Sequence, residues 1–444
     1  MRFQLASPAG DLFPRARVAA ARALGRHSLV ARCGVRASLP GLPPLSIHVA
    51  RGARRSARPG QRHVLDDVLG MGVSDSDDQS WIKAVVEAVE RYSMATPHDP
   101  STILRASMDE VAEWAVPLDR FQLYSDAQYA VIPTLGLPEP EDAIDWTWAY
   151  SMTTGSFVLV PAALLYGSLA RRPPNNFVES MTSTGMACHV SIEAAALAGL
   201  LEVVERDAVM ISWLNHRIPA RITIGRSGPL ADLFRERFTL PGVEFVLLDL
   251  SSDVGIATIG CLAFSERPEH PAAAMGSASR LDPVEAAKKA LFEAAQVMYA
   301  AHDMGWTQDE DFPETDVRTI AEHSRFYAGA EAAQRLDFMV SGSDEIALAD
   351  LPDLTSHCVG TDLVTAVERV SAVGLDVLVA DVTCSDVAQS GFRTVRTLVP
   401  GAVDINGDVR FPHLGSERIG RVPRAVGWST TPGLGLNLAP CPLA

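Results

Sequence analysis

The sequence predicts one globular domain that mixes helices and strands, preceded by a short basic segment. Of the 444 residues, 47% are apolar and 21% are charged, which is typical of a chain that buries a large core. Some segments repeat their apolar residues at helical spacing, whereas others resemble strands separated by turns. We find no clear linker, so residues 65–444 are expected to form the domain and residues 1–64 a basic extension.

The composition excludes several classes of protein. No apolar run approaches the roughly 18–20 residues that a membrane span requires, and no secretory signal is evident, so a cytoplasmic protein is expected. The six cysteines are scattered without a C-x-x-C pair, which argues against a zinc site or a disulfide framework. Residues 1–63 contain twelve arginines and a single acid, Asp11, but without the interleaved aromatic residues that would favour nucleic acid.

The N-terminal half of the chain is expected to contain helices around one hairpin. The first helix is expected within Arg15 to Arg32, and the second from Ser80 to Met94. Residues 145–166 predict a β-hairpin, because two apolar strands flank the turn at residues 153–156. A long helix follows Ser191, whose hydroxyl is suited to cap its N-terminus.

The C-terminal half is expected to contain strands, a long helix and an irregular tail. The helix begins at Pro283, a residue tolerated at the first helical position, after Asp282 as its cap. The tail, residues 421–444, is rich in glycine and proline and has no hydrophobic period, so disorder is expected there. The other expected elements are strands at 243–249, 256–264, 272–275, 377–382 and 394–399, and a helix at 366–372.

Three of the expected helices carry one pattern in the same register. The ranges 85–91 and 200–206 match in character at every position, and 291–297 has Glu293 in place of the first glutamate and Gln296 in place of the second. Residues three apart share a helix flank, so each pair lies at the margin of its apolar stripe. The pairs are Glu87 and Glu90, Glu202 and Glu205, and Glu293 and Gln296.

Acidic side chains brought together in this way need a counter-charge. Clustered carboxylates repel one another and raise one another's pKa, and divalent cations such as magnesium remove the repulsion. Magnesium suggests a polyphosphate, which arginine and lysine bind well. Lys83 and Lys289 share a register position four residues before a glutamate, although a solvated Lys–Glu pair would explain each of them alone. The sequence therefore indicates a nucleotide site, and it contains no phosphate-binding loop of the Walker type.

These motifs resemble those of the YcaO family of ATP-dependent peptide-modifying enzymes. The resemblance extends from about residue 65 to the end of the chain, and its second block is the most specific. The matching segments are Gly70-x-Gly72 with residues 87–93, Ser183-x-Gly185-Met-Ala187 with 193–194 and 202–208, residues 290–296, and the strand 395–401.

The resemblance implies an α+β fold of the YcaO type, with helices bearing Glu-x-x-Glu pairs packed on a mixed or antiparallel sheet around an ATP cleft. In azoline-forming members, a Cys, Ser or Thr side chain of a precursor peptide attacks the preceding amide carbonyl. ATP then phosphorylates the resulting oxygen, and loss of phosphate leaves a thiazoline or oxazoline. Phosphorylation converts a poor leaving group into a good one, which is the chemical reason for using ATP.

The resemblance also implies roles for individual residues. Magnesium would be held by the four glutamates Glu87, Glu90, Glu202 and Glu205. The residues implied to contact or order the nucleotide are Arg91, Ser183, Thr184, Glu193, Arg206, Glu293 and Gln296, and Arg206 would also act in catalysis. The chain departs from the family pattern at Met71, Lys83, Thr184 and Met298, and we expect Lys83 and Lys289 to bind phosphate in place of the two positions that are methionine here.

The tail and the partners leave alternatives open. Azoline-forming members end in a P-x-P-x-P tail whose terminal carboxylate is a general base, and this chain has Pro440 and Pro442 and ends in Ala444. Ala444 is therefore the expected base. The alternatives are a thioamide- or amidine-forming YcaO enzyme and a catalytically silent peptide-binding subunit. The expected partners are a precursor peptide, a separate leader-binding protein and a second copy in a homodimer, with neither nucleic acid nor membrane.

Overall fold

We analysed a computed structural model, which describes residues 12–52, 69–94, 100–131, 137–170, 182–431 and 433–443. The described residues belong to two compact units. The first lies within residues 1–37, 46–203 and 356–401, and the second within 38–45, 204–355 and 402–444. The predicted boundary between residues 64 and 65 falls outside the described residues and stays a prediction.

The strands and helices are numbered in chain order. The strands are β1 Val30–Arg36, β2 Ser46–Gly52, β3 Leu69–Ser74, β4 Leu104–Ala106, β5 Ile144–Ser151, β6 Ser156–Pro161, β7 Met186–His189, β8 Arg221–Thr223, β9 Val243–Asp249, β10 Ala257–Ser265, β11 Ala273–Arg280, β12 Glu345–Ala347, β13 Leu378–Asp381 and β14 Arg393–Leu398. The α-helices are α1 Leu12–Ala23, α2 Asp77–Met94, α3 Met108–Val111, α4 Asp126–Val131, α5 Gly167–Ala170, α6 Ile192–Leu214, α7 Pro229–Leu233, α8 Pro283–Asp303, α9 Ile320–Ala328, α10 Ala330–Ala333, α11 Asp337–Val340, α12 Val359–Ala372, α13 Ser385–Ser390 and α14 Arg418–Val426. Within the described part of the chain, no helix is both long and apolar enough to span a membrane.

The first unit contains two sheets. Strands β1, β2 and β3 form an antiparallel sheet, and α2 packs on β2 and β3. The second sheet has the order β4-β5-β13-β14-β7, with β6 added beside β5. Its recorded strand pairs are all antiparallel.

The second unit contains one five-stranded sheet of order β11-β10-β9-β8-β12. All its pairs are antiparallel except β8 with β12, so the sheet is mixed. Helix α8 packs on β10 and β11. The apolar C-terminal part of α6 enters the core of this unit together with residues of α9, α14 and the final segment of the chain. This arrangement confirms the α+β class.

Glycines allow a close backbone approach before each of the three helices with the repeated register. A Cβ atom on Gly72 of β3 would lie 1.9 Å from the carbonyl oxygen of Ser80 in α2. A Cβ atom on Gly276 of β11 would lie 2.3 Å from the amide nitrogen of Ala294 in α8. Gly185, in the turn before β7 and α6, has φ +80°, and its Cβ atom would lie 2.1 Å from the carbonyl oxygen of Thr397. Only glycine fits such close approaches.

Most expected elements are present with shifted ends, and two expectations are wrong. The hairpin forms as β5 and β6, the second helix as α2, and Asp282 caps α8 by accepting a hydrogen bond from the Val284 amide. The first helix ends at Ala23, and Val30–Arg36 is a strand, because Gly25 adopts φ +156° and reverses the chain.

The expectation of a disordered tail is also wrong. Residues Arg418–Val426 form helix α14, with Ile419 and Val422 three residues apart and buried. Gly427 then terminates the helix in the left-handed region. Its short apolar stripe is hidden in the sequence by three arginines and an internal Pro423.

We predict that Gly185→Ala destabilises the protein more than Gly374→Ala. Both glycines have positive φ, but a Cβ atom on Gly374 would meet no other described atom within 4 Å. Gly374→Ala should cost about 1–2 kcal/mol from backbone strain alone, and Gly185→Ala about 1–3 kcal/mol more from overpacking. Urea unfolding monitored by circular dichroism measures both. Equal losses would show that the turn does not need the close approach.

Candidate active site

The first glutamate of the α2 run is bonded to the strand that precedes its helix. Oε2 of Glu87 accepts a hydrogen bond of 2.8 Å from the backbone amide of Met71 in β3. Oε1 of the same side chain lies 2.5 Å from Nη2 of Arg91, one helical turn later. Arg91 also donates to the carbonyl oxygen of Leu69. Glu87 of the helix therefore contacts the strand directly through Oε2 and indirectly, by way of Arg91, through Oε1.

The first glutamate of the α6 run is held in the same way. Oε2 of Glu202 accepts a hydrogen bond of 3.0 Å from the backbone amide of Gly185. Ser183 and Thr184 precede this glycine, and Thr184 is buried. Beside the turn, Arg396 of β14 is buried and donates to the carbonyl oxygen of Thr182 at 2.8 Å. The repeated register thus produces one repeated contact in two places.

The pKa of Glu90, the second glutamate of the α2 run, is raised by its surroundings in the first unit. Burial raises its pKa well above the usual value, and the nearby carboxylates of Glu202 and Glu87 raise it further. The guanidinium groups of Arg91 and Arg396 oppose these effects without cancelling them. Burial and the neighbouring acidic groups therefore both disfavour the ionised form of Glu90.

The second glutamate of the α6 run, Glu205, has a different environment in the second unit. Its side chain is fully buried, and its Oε1 accepts a hydrogen bond of 2.6 Å from the hydroxyl of Ser277 in β11. Two cations lie near it: Lys289 Nζ is 3.6 Å from Oε2, and Arg206 Nη1 is 3.8 Å from Oε1. Among the described residues, no donor forms a hydrogen bond with Oε2.

These neighbours reverse the effect of burial on Glu205. Burial alone would raise its pKa, but the charge of Lys289, then that of Arg206 and the hydroxyl of Ser277, hold the pKa below the usual value. Arg280 acts in the same direction. Glu90 and Glu205 occupy the same register position, yet the pKa of Glu90 is raised and that of Glu205 is lowered.

The remaining predicted residues lie on the same elements. Lys289 Nζ also pairs with Oε1 of Glu293 at 2.5 Å, so this lysine bridges the glutamates of α6 and α8 within the second unit. Gln296 is half-buried one turn further along α8, and Glu193 is half-buried in the first turn of α6. Lys83 is exposed on α2 and donates to the carbonyl oxygen of Val73 at 3.1 Å.

The C-terminal segment reaches the strand that carries Ser277. Leu443 pairs in parallel with Met275, two residues before Ser277 on β11. Burial raises the pKa of the Cys441 thiol to about 12, and a hydrogen bond with the backbone of Leu443 and the charge of Arg206 partly oppose this rise. Ala444, the predicted base, lies outside the described residues and stays a prediction.

The four glutamates meet part of what a magnesium site requires. The described part of the chain contains no group of three or more His, Cys, Asp or Glu side chains arranged to hold a metal ion. The chemistry nevertheless fits one, since Glu90 lies beside unrelieved like charge and Oε2 of Glu205 is a buried carboxylate oxygen without a hydrogen-bond donor among the described residues. The assignment of Glu87, Glu90, Glu202 and Glu205 to magnesium stays a prediction.

Three residues of this region were given no role by the sequence. Ser277 contacts Glu205 directly, Arg280 lowers its pKa, and Arg396 lies near Glu90. Arg396 is within the strand 395–401 that resembles the family, so its position could have been suspected. Ser277 and Arg280 come from a strand of small residues, and only strand pairing shows which glutamate they approach.

Comparison with known proteins identifies the architecture. The family model described as YcaO cyclodehydratase, ATP- and Mg²⁺-binding, matches residues 71–403. An uncharacterised protein of Methanothermobacter thermautotrophicus is 31% identical over 352 residues, which cover 77% of this chain and 82% of that relative.

Two solved structures share the fold. A heterocyclase in complex with substrate and cofactor superposes with a TM-score of 0.80 at 23% identity, covering 100% of this chain and 59% of the heterocyclase. The chain thus spans little more than half the length of that protein. YcaO from Methanopyrus kandleri, bound with AMPPCP and Mg²⁺, has a TM-score of 0.62 at 22% identity and covers 88% of this chain and 90% of its own.

We predict that Lys289→Met raises the pKa of Glu205. In the wild type this pKa is lowered, so the ionised carboxylate stabilises the fold at neutral pH, and the contribution is lost as the pH falls through the lowered pKa. The variant should lose about 1–3 kcal/mol of unfolding free energy at pH 7, because a buried charge loses a partner.

The measurement is urea unfolding of both proteins as a function of pH. The difference in unfolding free energy between wild type and Lys289→Met should become smaller as the pH falls, because protonation of Glu205 removes the ion pair from the wild type as well. Lys288→Met is the matched control, since this neighbouring lysine lies over the ring of Phe292. A difference in unfolding free energy that does not change with pH would contradict the conclusion that Lys289 lowers the pKa of Glu205.

Proposed function

Because this chain belongs to the YcaO family, we propose that it is an ATP- and Mg²⁺-dependent cyclodehydratase of ribosomally made precursor peptides. It would convert Cys, Ser or Thr residues of the peptide to thiazolines or oxazolines. The protein that shares the fold is described as a heterocyclase in complex with substrate and cofactor, which supports ring formation as the reaction. The single observation that carries the proposal is the repeated contact in which the first glutamate of each run, Glu87 or Glu202, accepts a hydrogen bond from a backbone amide of the preceding strand or turn.

We propose that magnesium is held by Glu87, Glu90, Glu202 and Glu205. Carboxylate oxygens are ligands that magnesium prefers, and a divalent cation would favour the ionised form of Glu90. When bound, magnesium neutralises phosphate charge and orients the polyphosphate. Glu87 and Glu202 are already oriented by backbone amides, so part of the entropic cost of ordering these ligands is met before the metal binds.

The nucleotide contacts are assigned to cations and small polar groups on the same helices and turns. Arg91 and Arg206 follow the second glutamate of their runs and are suited to phosphate oxygens, and Arg206 is proposed to stabilise charge on the transferred phosphoryl group. Lys83 and Lys289 would supply further positive charge. The polar residues proposed to order the nucleotide are Ser183, Thr184, Glu193, Glu293 and Gln296.

The proposed reaction places few covalent demands on the protein. The peptide side chain attacks the preceding carbonyl carbon and loses its proton, and the former carbonyl oxygen takes the γ-phosphoryl group of ATP with release of ADP. Loss of that oxygen as phosphate, together with the amide proton, forms the C=N bond of the azoline. The protein positions the two substrates and accepts protons, and the family resemblance assigns proton acceptance to the Ala444 carboxylate. The pairing of Leu443 with Met275 of β11 supports this assignment.

The partners are part of the same proposal. A precursor peptide, a separate leader-binding protein and a homodimer are expected, in the cytoplasm. A thioamide- or amidine-forming activity is the alternative, since the tail has two of the three family prolines. The product distinguishes them: mass spectrometry of a Cys-, Ser- and Thr-containing precursor peptide should show loss of one water for each azoline. An exchange of sulfur for oxygen would favour thioamide formation, and an unmodified peptide with active ATP turnover would contradict both.

We predict that Glu202→Gln and Glu205→Gln each lower the kcat of Mg²⁺-dependent ATP turnover by at least about 100-fold. Glutamine keeps the shape of the side chain but removes the charge that would bind the metal. Released phosphate measures turnover, and circular dichroism tests whether each variant is folded. Glu368→Gln is the matched control, because Glu368 is exposed on α12. Folded Glu202→Gln and Glu205→Gln variants with wild-type turnover would refute the proposed role.

A further inference from the structure

The last residues of the chain are held through their backbone carbonyl groups. Three successive carbonyl oxygens each face a polar side-chain atom of the second unit. Trp213 Nε1 donates to Ala439 O at 2.9 Å, and the hydroxyl of Tyr327 donates to Pro440 O at 2.6 Å. His323 places Nδ1 2.8 Å from Cys441 O and Nε2 2.9 Å from Gly407 O. We call Trp213, His323 and Tyr327 the carbonyl clamp.

The clamp is built on two rigid helices and is fully enclosed. Trp213 lies on α6, eight residues after Glu205, while His323 and Tyr327 lie four residues apart on one face of α9. All three side chains are at most 2% exposed. The rings of Trp213 and Tyr327 also meet edge to face, with centroids 6.3 Å apart, which fixes the direction of both donors.

The composition of the C-terminal segment explains why it is held through its carbonyl groups. Pro440 and Pro442 have no amide hydrogen, so every second residue offers only a carbonyl for hydrogen bonding. A buried carbonyl without a partner costs about 1–3 kcal/mol, and side-chain donors remove that cost. Binding through the backbone does not depend on which side chain occupies position 441. The segment is therefore held although Cys441 and Leu443 alternate with the two prolines.

The clamp points the segment toward the proposed reaction site. Asn437 donates its backbone amide to the carbonyl of Leu214 at the end of α6, and Leu443 pairs with Met275. Between these two attachments the clamp places a polar side-chain atom at each of the carbonyl oxygens of residues 439–441. Ser277, which donates to Glu205, lies two residues beyond Met275 on β11.

We infer that Trp213, His323 and Tyr327 are positioning residues that seat the C-terminal segment beside β11 by binding its backbone carbonyls. This inference rests on the proposed function only for its catalytic consequence. Seating itself is a property of the folded chain and is measurable without substrate.

The test is Tyr327→Phe in the full chain, which removes one hydroxyl and leaves the ring. Hydrogen–deuterium exchange of residues 437–443, followed by mass spectrometry, should become about 3- to 10-fold faster, because one hydrogen bond of about 1 kcal/mol is lost. Tyr299→Phe is the matched control: Tyr299 is also a fully buried tyrosine of the second unit, and its hydroxyl donates to Pro43 O at 3.0 Å. It should leave exchange of the tail unchanged.

A second variant and a kinetic measurement complete the test. Trp213→Phe removes the indole donor and should accelerate the same exchange. In both clamp variants, kcat for Mg·ATP turnover should fall about tenfold while KM for ATP changes less than about twofold, since the clamp contacts no proposed nucleotide ligand. Unchanged exchange in both variants would overturn the clamp. Faster exchange with unchanged kcat would overturn the positioning role of the clamp. A wild-type protein without activity would count against the proposed function, and the exchange measurement would still test the clamp.

Discussion

The close contact between a glycine-bearing strand or turn and the backbone packed against it is the constraint on which this structure depends. At Gly72 and Gly276 a side chain would collide with helical backbone, and at Gly185 with the neighbouring strand β14. With no side chain in between, a glutamate of the helix can reach the backbone amide of the strand or turn. Glu87 and Glu202 do so at 2.8 and 3.0 Å. The placement of the acidic groups therefore follows from backbone geometry.

Glu90 and Glu205 occupy the same register position, but their electrostatic surroundings differ between the two units. Burial and the nearby Glu202 and Glu87 raise the pKa of Glu90, whereas Lys289 and Arg206 lower the pKa of Glu205. The two residues would respond differently to a cation. A divalent ion would favour the ionised form of Glu90, whereas at Glu205 it would compete with the charge of Lys289.

The sequence was a good guide to what depends on local pattern and a poor one to what depends on packing. Helical periodicity located α2, α6 and α8 and placed Glu87, Glu90, Glu202 and Glu205 in matching positions on α2 and α6. Ser277 and Arg280 could not be assigned, because their proximity to Glu205 arises from the pairing and packing of β11. The helix from Arg418 was missed because its apolar stripe is two residues wide. The ordered tail was missed because buried carbonyls satisfied by Trp213 and Tyr327 leave no mark in local composition.

The repeated glutamates are proposed to bind magnesium and, through it, ATP. A crystal structure of this chain with Mg²⁺ and a non-hydrolysable ATP analogue tests this proposal without an activity assay. We expect magnesium within bonding distance of carboxylate oxygens of Glu87, Glu90, Glu202 or Glu205, with Arg91 and Arg206 on phosphate oxygens. A nucleotide bound elsewhere, with Glu87 still paired to Arg91 and Glu205 to Lys289, would contradict it.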